Sequence, residues 1–456
     1  MKFLITTLGC KVNQHESDVL AAALSARGWR PITAGERAEV CVVNTCTVTQ
    51  RASMQSRQLI RQLQRAHPGA RVVVTGCYAQ IAPHEIAAVG GVHAIVGRDR
   101  KAHLPEIIVN AMQNPESGID PSPVSEAAWE PWAAMPPAAP GTRTRPFLKI
   151  QDGCNSFCTY CIVPYARGRS RSLPPERVME QLARLGAMGY REVVLTGIHL
   201  GSYGLDLTPP SPLMTLMEAI EAEQPLDRVR LSSIEPNELT EAMIELVASS
   251  DVFCPHFHLP LQSGDDAILK RMHRPYTRDL FRRQVEAIHG RLPRAAIGAD
   301  VLAGFPGETR ANFDHTARLL DELPLSYLHV FPFSARPGTP AAGYPDQIAP
   351  AVIKERTAAI RAIGAEKKAA FMAQAVGRRA KVLVETRRDT KTRLLKGLTG
   401  NYLVVLIAGD DRHTNTILPV QLEAVHDAGR LMGKIAVPEP MNTDKSVSAR
   451  AAGGVG

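Results

Sequence analysis

Between Gln151 and Ile162 the chain carries Cys154, Cys158 and Cys161, spaced C-x3-C-x2-C and placed directly after a short apolar run, Phe147–Ile150. Iron–sulfur clusters usually take four cysteine ligands. A local set of three can hold three irons of a [4Fe–4S] cluster and leave the fourth open to a small molecule, as an open position does on a catalytic metal. The competing reading is a zinc knuckle. Zinc asks for four ligands, often as two C-x2-C pairs, and no further Cys or His stands at close spacing here.

The fold must therefore present this loop at an open face, and the surrounding pattern does so. Candidate strands at Phe147–Ile150, Glu192–Thr196, Val229–Ile234, Phe257–Leu261, Ile297–Ala303 and Ser326–Phe331 alternate with helical stretches such as Pro175–Met188, Asn237–Ser249 and Arg278–Arg291. Six such units predict an open partial (β/α)6 barrel, whose site lies at the carboxyl ends of the strands. Those ends carry Gly197, Glu235, Gln262, Gly304 and Arg336 in polar or Gly-rich turns, a candidate cofactor pocket. Glycines there let a backbone approach a ligand. Arg167, Arg169 and Arg171 follow the cysteine loop; they suit phosphates or a cofactor carboxylate, or else a solvated basic stretch. His199, His256 and His258 receive no catalytic role.

Upstream, Phe3–Thr7, Glu39–Asn44, Val72–Thr75 and His93–Val96 read as strands, with helices over Glu16–Arg27 and Ser53–Ala66. This alternation predicts a doubly wound parallel sheet. Ligands of such sheets bind outside the carboxyl ends of the strands. Cys10, Cys46 and Cys77 each follow a predicted strand, so topology would gather a second three-cysteine site. The plain alternative is three buried core cysteines, which is the reading given to Cys41 and Cys254.

Residues 114–145 are rich in Pro, Ala, Ser and Glu and read as a linker, with Trp129 and Trp132 able to pack on a domain. Beyond the Ala- and Lys-rich helix Glu355–Val376 come five short strands and a dense basic set that includes Arg378, Arg379, Lys381, Arg387 and Arg388. A small basic β-barrel suits the phosphate backbone of a folded RNA; the alternative is a solvated surface on a lid. The expected domains are 1–113, 146–374 and 375–438, with a disordered tail over 439–456.

The 456 residues carry a net charge of +8, consistent with a polyanionic partner. Eight cysteines are too few for a disulfide scaffold, which points to a reducing cytoplasm. The N-terminal apolar run is too short for a signal segment, no stretch reaches membrane-spanning length, and no membrane partner is expected.

With Tyr160 before its third cysteine, the Cys154–Cys161 loop resembles the signature of the radical S-adenosylmethionine enzymes. In that superfamily the open iron chelates the methionine end of the cofactor, and the aromatic position lies near its adenine. Together with Leu8-Gly-Cys-Lys-Val-Asn-Gln14, Asn44-Thr-Cys-Thr47 and Thr75-Gly-Cys-Tyr78, the chain resembles the methylthiotransferase family from about residue 1 to residue 435.

The resemblance implies two [4Fe–4S] clusters, one on Cys154, Cys158 and Cys161 and an auxiliary one on Cys10, Cys46 and Cys77, plus S-adenosylmethionine and a C-terminal TRAM barrel. It implies radical attachment of a methylthio group, an electron donor such as flavodoxin or ferredoxin, and a monomer. Gly9-Cys-Lys-Val-Asn-Gln14, Gly197-Ile-His-Leu-Gly-Ser-Tyr-Gly204 and Leu231-Ser-Ser-Ile-Glu-Pro236 resemble the branch that acts on N6-threonylcarbamoyladenosine 37 in the tRNA anticodon loop. The isopentenyladenosine branch and the branch acting on a ribosomal-protein aspartate remain alternatives. A non-catalytic RNA-binding metalloprotein is the reading from another class.

Overall fold

The computed structural model describes residues 1–113 and 143–436. Most of the predicted linker, with Trp129 and Trp132, and the predicted tail lie outside the described residues.

The N-terminal sheet runs β1 (Lys2–Thr7), β2 (Arg30–Pro31), β3 (Val40–Thr45), β4 (Arg71–Gly76) and β5 (Ala94–Val96), all parallel, in spatial order β2-β1-β3-β4-β5. Every residue of β3, Val-Cys-Val-Val-Asn-Thr, is buried, as a central strand covered on both faces requires. Cys41, Val43, Val72 and Val74 pack on one face, and Val40, Val42 and Val73 on the other. Chain order reverses between β1 and β3, the place where open α/β sheets bind ligands. The two-residue edge strand β2 is exposed and carries no apolar pattern, which is why sequence reading passes over it. Helix α1 (Lys11–Ala26) begins five residues before its predicted start, with Cys10 at its N-cap. Its first turn, Lys-Val-Asn-Gln, lacks apolar periodicity because it faces a polar site.

The central unit holds β6 (Phe147–Lys149), the short pair β7 (Gln151–Asp152) and β8 (Arg171–Ser172), then β9 (Glu192–Thr196), β10 (Arg228–Leu231), β11 (His256–Gln262), β12 (Ala296–Ala303) and β13 (Tyr327–Pro332). Strands β6-β9-β10 and β11-β12-β13 form two parallel three-stranded halves, with a bridge from Val229 to Phe253 between them. The alternation of strand side chains sorts the two faces. Leu148, Val193, Leu195, Val229, Leu231, Phe257, Leu259, Ile297 and Ala299 join the core beneath the helices. The intervening Lys149, Glu192, Arg230, His258, Asp300 and Tyr327 face the concave interior. That interior is polar, and the N-terminal unit and the last barrel close over it.

The C-terminal unit is a closed five-stranded barrel: β14 (Arg379–Val384), β15 (Leu395–Thr399), β16 (Val404–Ile407), β17 (Ile417–Asp427) and β18 (Arg430–Ile435), in order β14-β15-β16-β18-β17. It sits against the central unit through Arg228 and Arg230. Arg228 donates to the Leu398 and Lys381 carbonyls, and Arg230 to those of Thr399 and Gly400. No helix among the described residues is long and apolar enough to cross a membrane.

Candidate functional site

The loop after β1 and the loops after β3 and β4 bring Cys10, Cys46 and Cys77 to one edge. Gly9 and Gly76, both with positive φ, make this approach possible. A Cβ on Gly9 would lie 3.0 Å from Cys46 Sγ, and one on Gly76 would overlap the Thr45 carbonyl. Burial pushes the Cys46 thiol up to about 11, with Cys77 and Cys10 adding to the rise. Burial also raises Cys77, and the Arg167 guanidinium pulls the other way.

Arg167 is the centre of this region. It lies at the end of the short helix Val163–Arg167, immediately downstream of the other cysteine loop, and is buried. Its guanidinium donates to Asp152 Oδ1 at 2.8 Å, Glu16 Oε1 at 3.1 Å and Asn13 Oδ1 at 2.5 Å. Lys149 Nζ reaches Glu16 at 3.2 Å and Asp152 at 3.1 Å, and Lys101 also pairs with Glu16. Among the described residues, three buried cations thus share two buried carboxylates. Cys10 and Cys77 act on Arg167, so a fixed cation stands beside these thiols, as thiolate ligands would ask. Burial opposes ionisation of Glu16 and Asp152, yet Arg167 and the lysines hold both carboxyls well below the usual range.

Removing one partner of such a network leaves uncompensated buried charge. Arg167→Met is therefore expected to destabilise the chain by roughly 3–5 kcal/mol, read as a lower denaturant midpoint of the anaerobically purified protein. An unchanged midpoint would mean the network carries no such stabilisation.

The second triad occupies the loop after β7. Cys158 is buried, and Cys154 and Cys161 are partly so. Two of the three sulfurs have donors beside them. The Ser156 N–H donates to Cys154 Sγ at 3.4 Å, His199 Nδ1 lies 3.5 Å from the same sulfur, and Arg274 donates to Cys158 Sγ at 3.1 Å. Burial raises the Cys154 thiol, but its bonds to His199 and Ser156 lower it overall, whereas burial pushes Cys161 up to about 12. His199 Nε2 is 2.8 Å from Glu238. Burial lowers this imidazole, and Cys154 and Glu238 raise it further, to about 10. Three cysteines at each place fit iron–sulfur ligation, and around Cys154 and Cys158 donors to the sulfur are a common means of setting a cluster's potential.

The other predicted site residues divide. Tyr160 packs edge-on against Phe305, in the apolar group of Met272 and Phe333. Glu235 pairs with Arg274, behind Cys158. Gly197 lies against Gln151, whose side chain accepts from the His199 N–H at 2.8 Å. Gln262 (φ +65°) and Gly304 (φ +79°) end β11 and β12. Arg336 turns away from this group. Its Nη2 donates to Thr47 Oγ1 at 2.6 Å and Ser53 Oγ at 3.1 Å, which seats the central unit on the N-terminal one, beside Cys46.

Arg167 also departs from both of its sequence readings: it is neither solvated nor free for a phosphate. His199 and Arg274 have no role in the sequence reading, yet both touch a sulfur of this triad. His199 had a usable signal, its place in the turn after β9, while Arg274 had none. Cys41 and Cys254 are buried.

On the last barrel, Arg378, Arg379 and Lys381 are exposed and line a cleft against the central unit together with Arg228, Arg291 and Arg294. Arg387 is exposed at the far end of β14. Arg388 is tied down by Asp411 at 2.7 Å and by the Arg393 and Gly409 carbonyls.

Residues 2–97 match the model of Uncharacterized protein family UPF0004, and residues 148–320 match the radical SAM superfamily. The chain is 38% identical over 420 residues to the threonylcarbamoyladenosine tRNA methylthiotransferase MtaB of Bacillus subtilis, covering 91% of this chain and 92% of that one. It is 37% identical to the protein of that name from Aquifex aeolicus, covering 84% and 93%. It is 34% identical to the tRNA-2-methylthio-N(6)-dimethylallyladenosine synthase of Pelotomaculum thermopropionicum, covering 92% and 94%. Among solved structures, the radical S-adenosylmethionine methyltransferase TsrM of Kitasatospora setae shares the fold at a TM-score of 0.52, with 18% identity and coverage of 75% and 76% of the two chains. With a radical SAM unit between a parallel sheet and a closed barrel, and with relatives this similar along most of its length, the chain belongs to the radical S-adenosylmethionine tRNA methylthiotransferase family.

Proposed function

We propose that this protein converts N6-threonylcarbamoyladenosine at position 37 of tRNA to its 2-methylthio derivative, with Cys154, Cys158 and Cys161 holding one [4Fe–4S] cluster and Cys10, Cys46 and Cys77 a second. The observation that carries this reading is a buried link between the two cysteine regions. One buried guanidinium, Arg167, is bonded to Asp152 at the root of the first cysteine loop and lies in the field of Cys10 and Cys77.

When bound, the first cluster with S-adenosylmethionine supplies one-electron and radical chemistry, and the second supplies a place for sulfur. The chain's own residues hold and shelter these groups. Arg274 and His199 orient two of the ligand sulfurs. Tyr160, Gly197, Gln262 and Gly304 border the S-adenosylmethionine pocket, with Glu235 fixing Arg274. Arg336 and Arg167 lock the N-terminal unit over the strand ends, which restricts access of water. Arg378, Arg379, Lys381 and Arg387 offer cations to the tRNA backbone, which gives affinity without sequence choice. An anticodon-loop base can then be splayed into the interior without melting a duplex.

The labour divides among 1–113 for the auxiliary site, 146–374 for the radical site and 375–438 for RNA, in a cytoplasmic enzyme fed by a low-potential donor such as flavodoxin or ferredoxin. The test presents anaerobically reconstituted enzyme with two tRNAs, one carrying threonylcarbamoyladenosine 37 and the other isopentenyladenosine 37. Methylthiolation of the first is expected. Reaction with the second alone would move the chain to the sister branch.

A further inference from the structure

Lys11 follows Cys10 directly and opens α1. Its ammonium makes no hydrogen bond or ion pair among the described residues. Arg230 and Arg145 repel this charge, and Asp300 and the adjacent Cys10 favour it. Asp300 is already engaged by His258 at 2.8 Å and His329 at 3.2 Å. Among the described residues the guanidiniums are short of counter-charge. Arg145, Arg228 and Arg230 all converge on Glu192, at 3.6, 3.6 and 2.9 Å. Arg145 shares Glu385 with Lys396. Among the described residues, Arg145 Nε, His256 Nδ1 and Glu192 Oε2 are buried without a hydrogen-bond partner. This partly buried surplus of positive charge suits an anion. It also argues against a cation on His258, Asp300 and His329, although their spacing would admit one.

We propose that Lys11, in a cationic pocket completed by Arg145 and Arg230, binds the carboxylate of the threonine moiety on the substrate base and so selects it over an adenosine bearing a neutral alkyl group. The proposal rests on the threonylcarbamoyladenosine reading. That substituent ends in a carboxylate, whereas a dimethylallyl group has neither charge nor hydrogen-bonding atoms. A buried polar site built for one partner strongly rejects an analogue that lacks it. The anchor also serves the chemistry. On adenine, C2 and N6 flank N1 on the same edge, so a group that holds the N6 substituent one residue from Cys10 also turns C2 toward the auxiliary cysteines.

The test uses the cluster-loaded full chain and two anticodon stem-loop RNAs. They are identical except that the threonine carboxylate at adenosine 37 is free in one and blocked as its methyl ester in the other. Binding and initial methylthiolation rates are measured for both. In the natural chain, blocking the carboxylate should weaken binding by about 30-fold or more. In Lys11→Gln the two RNAs should differ by less than about threefold, and in Lys11→Arg, which keeps the charge, by at least about tenfold. A Lys11→Gln chain that discriminates as the natural one does overturns the proposal, while turnover of the free-carboxylate RNA by the natural chain leaves the substrate reading standing. Equal binding of both RNAs by the natural chain overturns the proposal whether or not either variant assembles its clusters. Turnover of neither RNA by the natural chain overturns the substrate reading, and the proposal with it.

Discussion

Cys154→Ala is expected to abolish reductive cleavage of S-adenosylmethionine, and methylthiolation with it. The substitution removes the thiol whose ionisation the site favours most clearly, the one beside His199 and the Ser156 N–H. Cys158 and Cys161, both raised by burial, would remain. Altering a residue behind a metal ligand commonly costs about 10–100-fold in affinity or activity. Losing the ligand itself should therefore cost at least about 100-fold in 5′-deoxyadenosine formed per chain under a strong reductant. Iron should fall from about eight to about four per chain. A variant that still cleaved the cofactor at a tenth of the natural rate would remove Cys154 from the ligand set.

Cys46→Ala separates the two sites. Cys46 lies against Gly9, and its charged neighbours are Cys77, Cys10 and Arg167. Its loss should also halve the iron, to about four per chain. It should leave cofactor cleavage in place, uncoupled from product, because His199, Arg274 and the Cys154 loop are untouched. Methylthiolated tRNA should fall at least about 100-fold. If the variant still thiolated tRNA, the strand-end cysteines would not be the sulfur-bearing site. If it lost cleavage too, the Arg167 network would couple the sites more tightly than its contacts indicate.

Both triads were legible in the sequence for different reasons. Cys154, Cys158 and Cys161 are local, so spacing alone exposes them. Cys10, Cys46 and Cys77 become a set only when each is seen to end a parallel strand, because topology rather than spacing brings them together. The strands themselves were readable from apolar runs, and Glu192–Thr196 and Arg278–Arg291 have the predicted bounds. What escaped were pairings across domains. Arg167 stands among alternating arginines that look solvated, and it is buried because Glu16 and Asn13 come from a helix about 150 residues upstream. Arg336 reads as a strand-end residue of the cofactor pocket, but Thr47 and Ser53 lie nearly 290 residues away in the chain. Arg274 has no pattern of its own and gains a role only because its loop passes Cys158. Lys11 is visible within the first cysteine motif, but that it has no ion pair among the described residues appears only once Glu192 and Asp300 are seen committed to other cations and histidines.

Mass spectrometry of tRNA nucleosides decides the activity in cells lacking the gene, complemented with the natural chain, Cys154→Ala or Cys46→Ala. The account predicts that 2-methylthio-N6-threonylcarbamoyladenosine disappears without the gene while the unthiolated nucleoside accumulates, and that only the natural chain restores it. An unchanged tRNA profile on loss of the gene, or restoration by either cysteine variant, would contradict it.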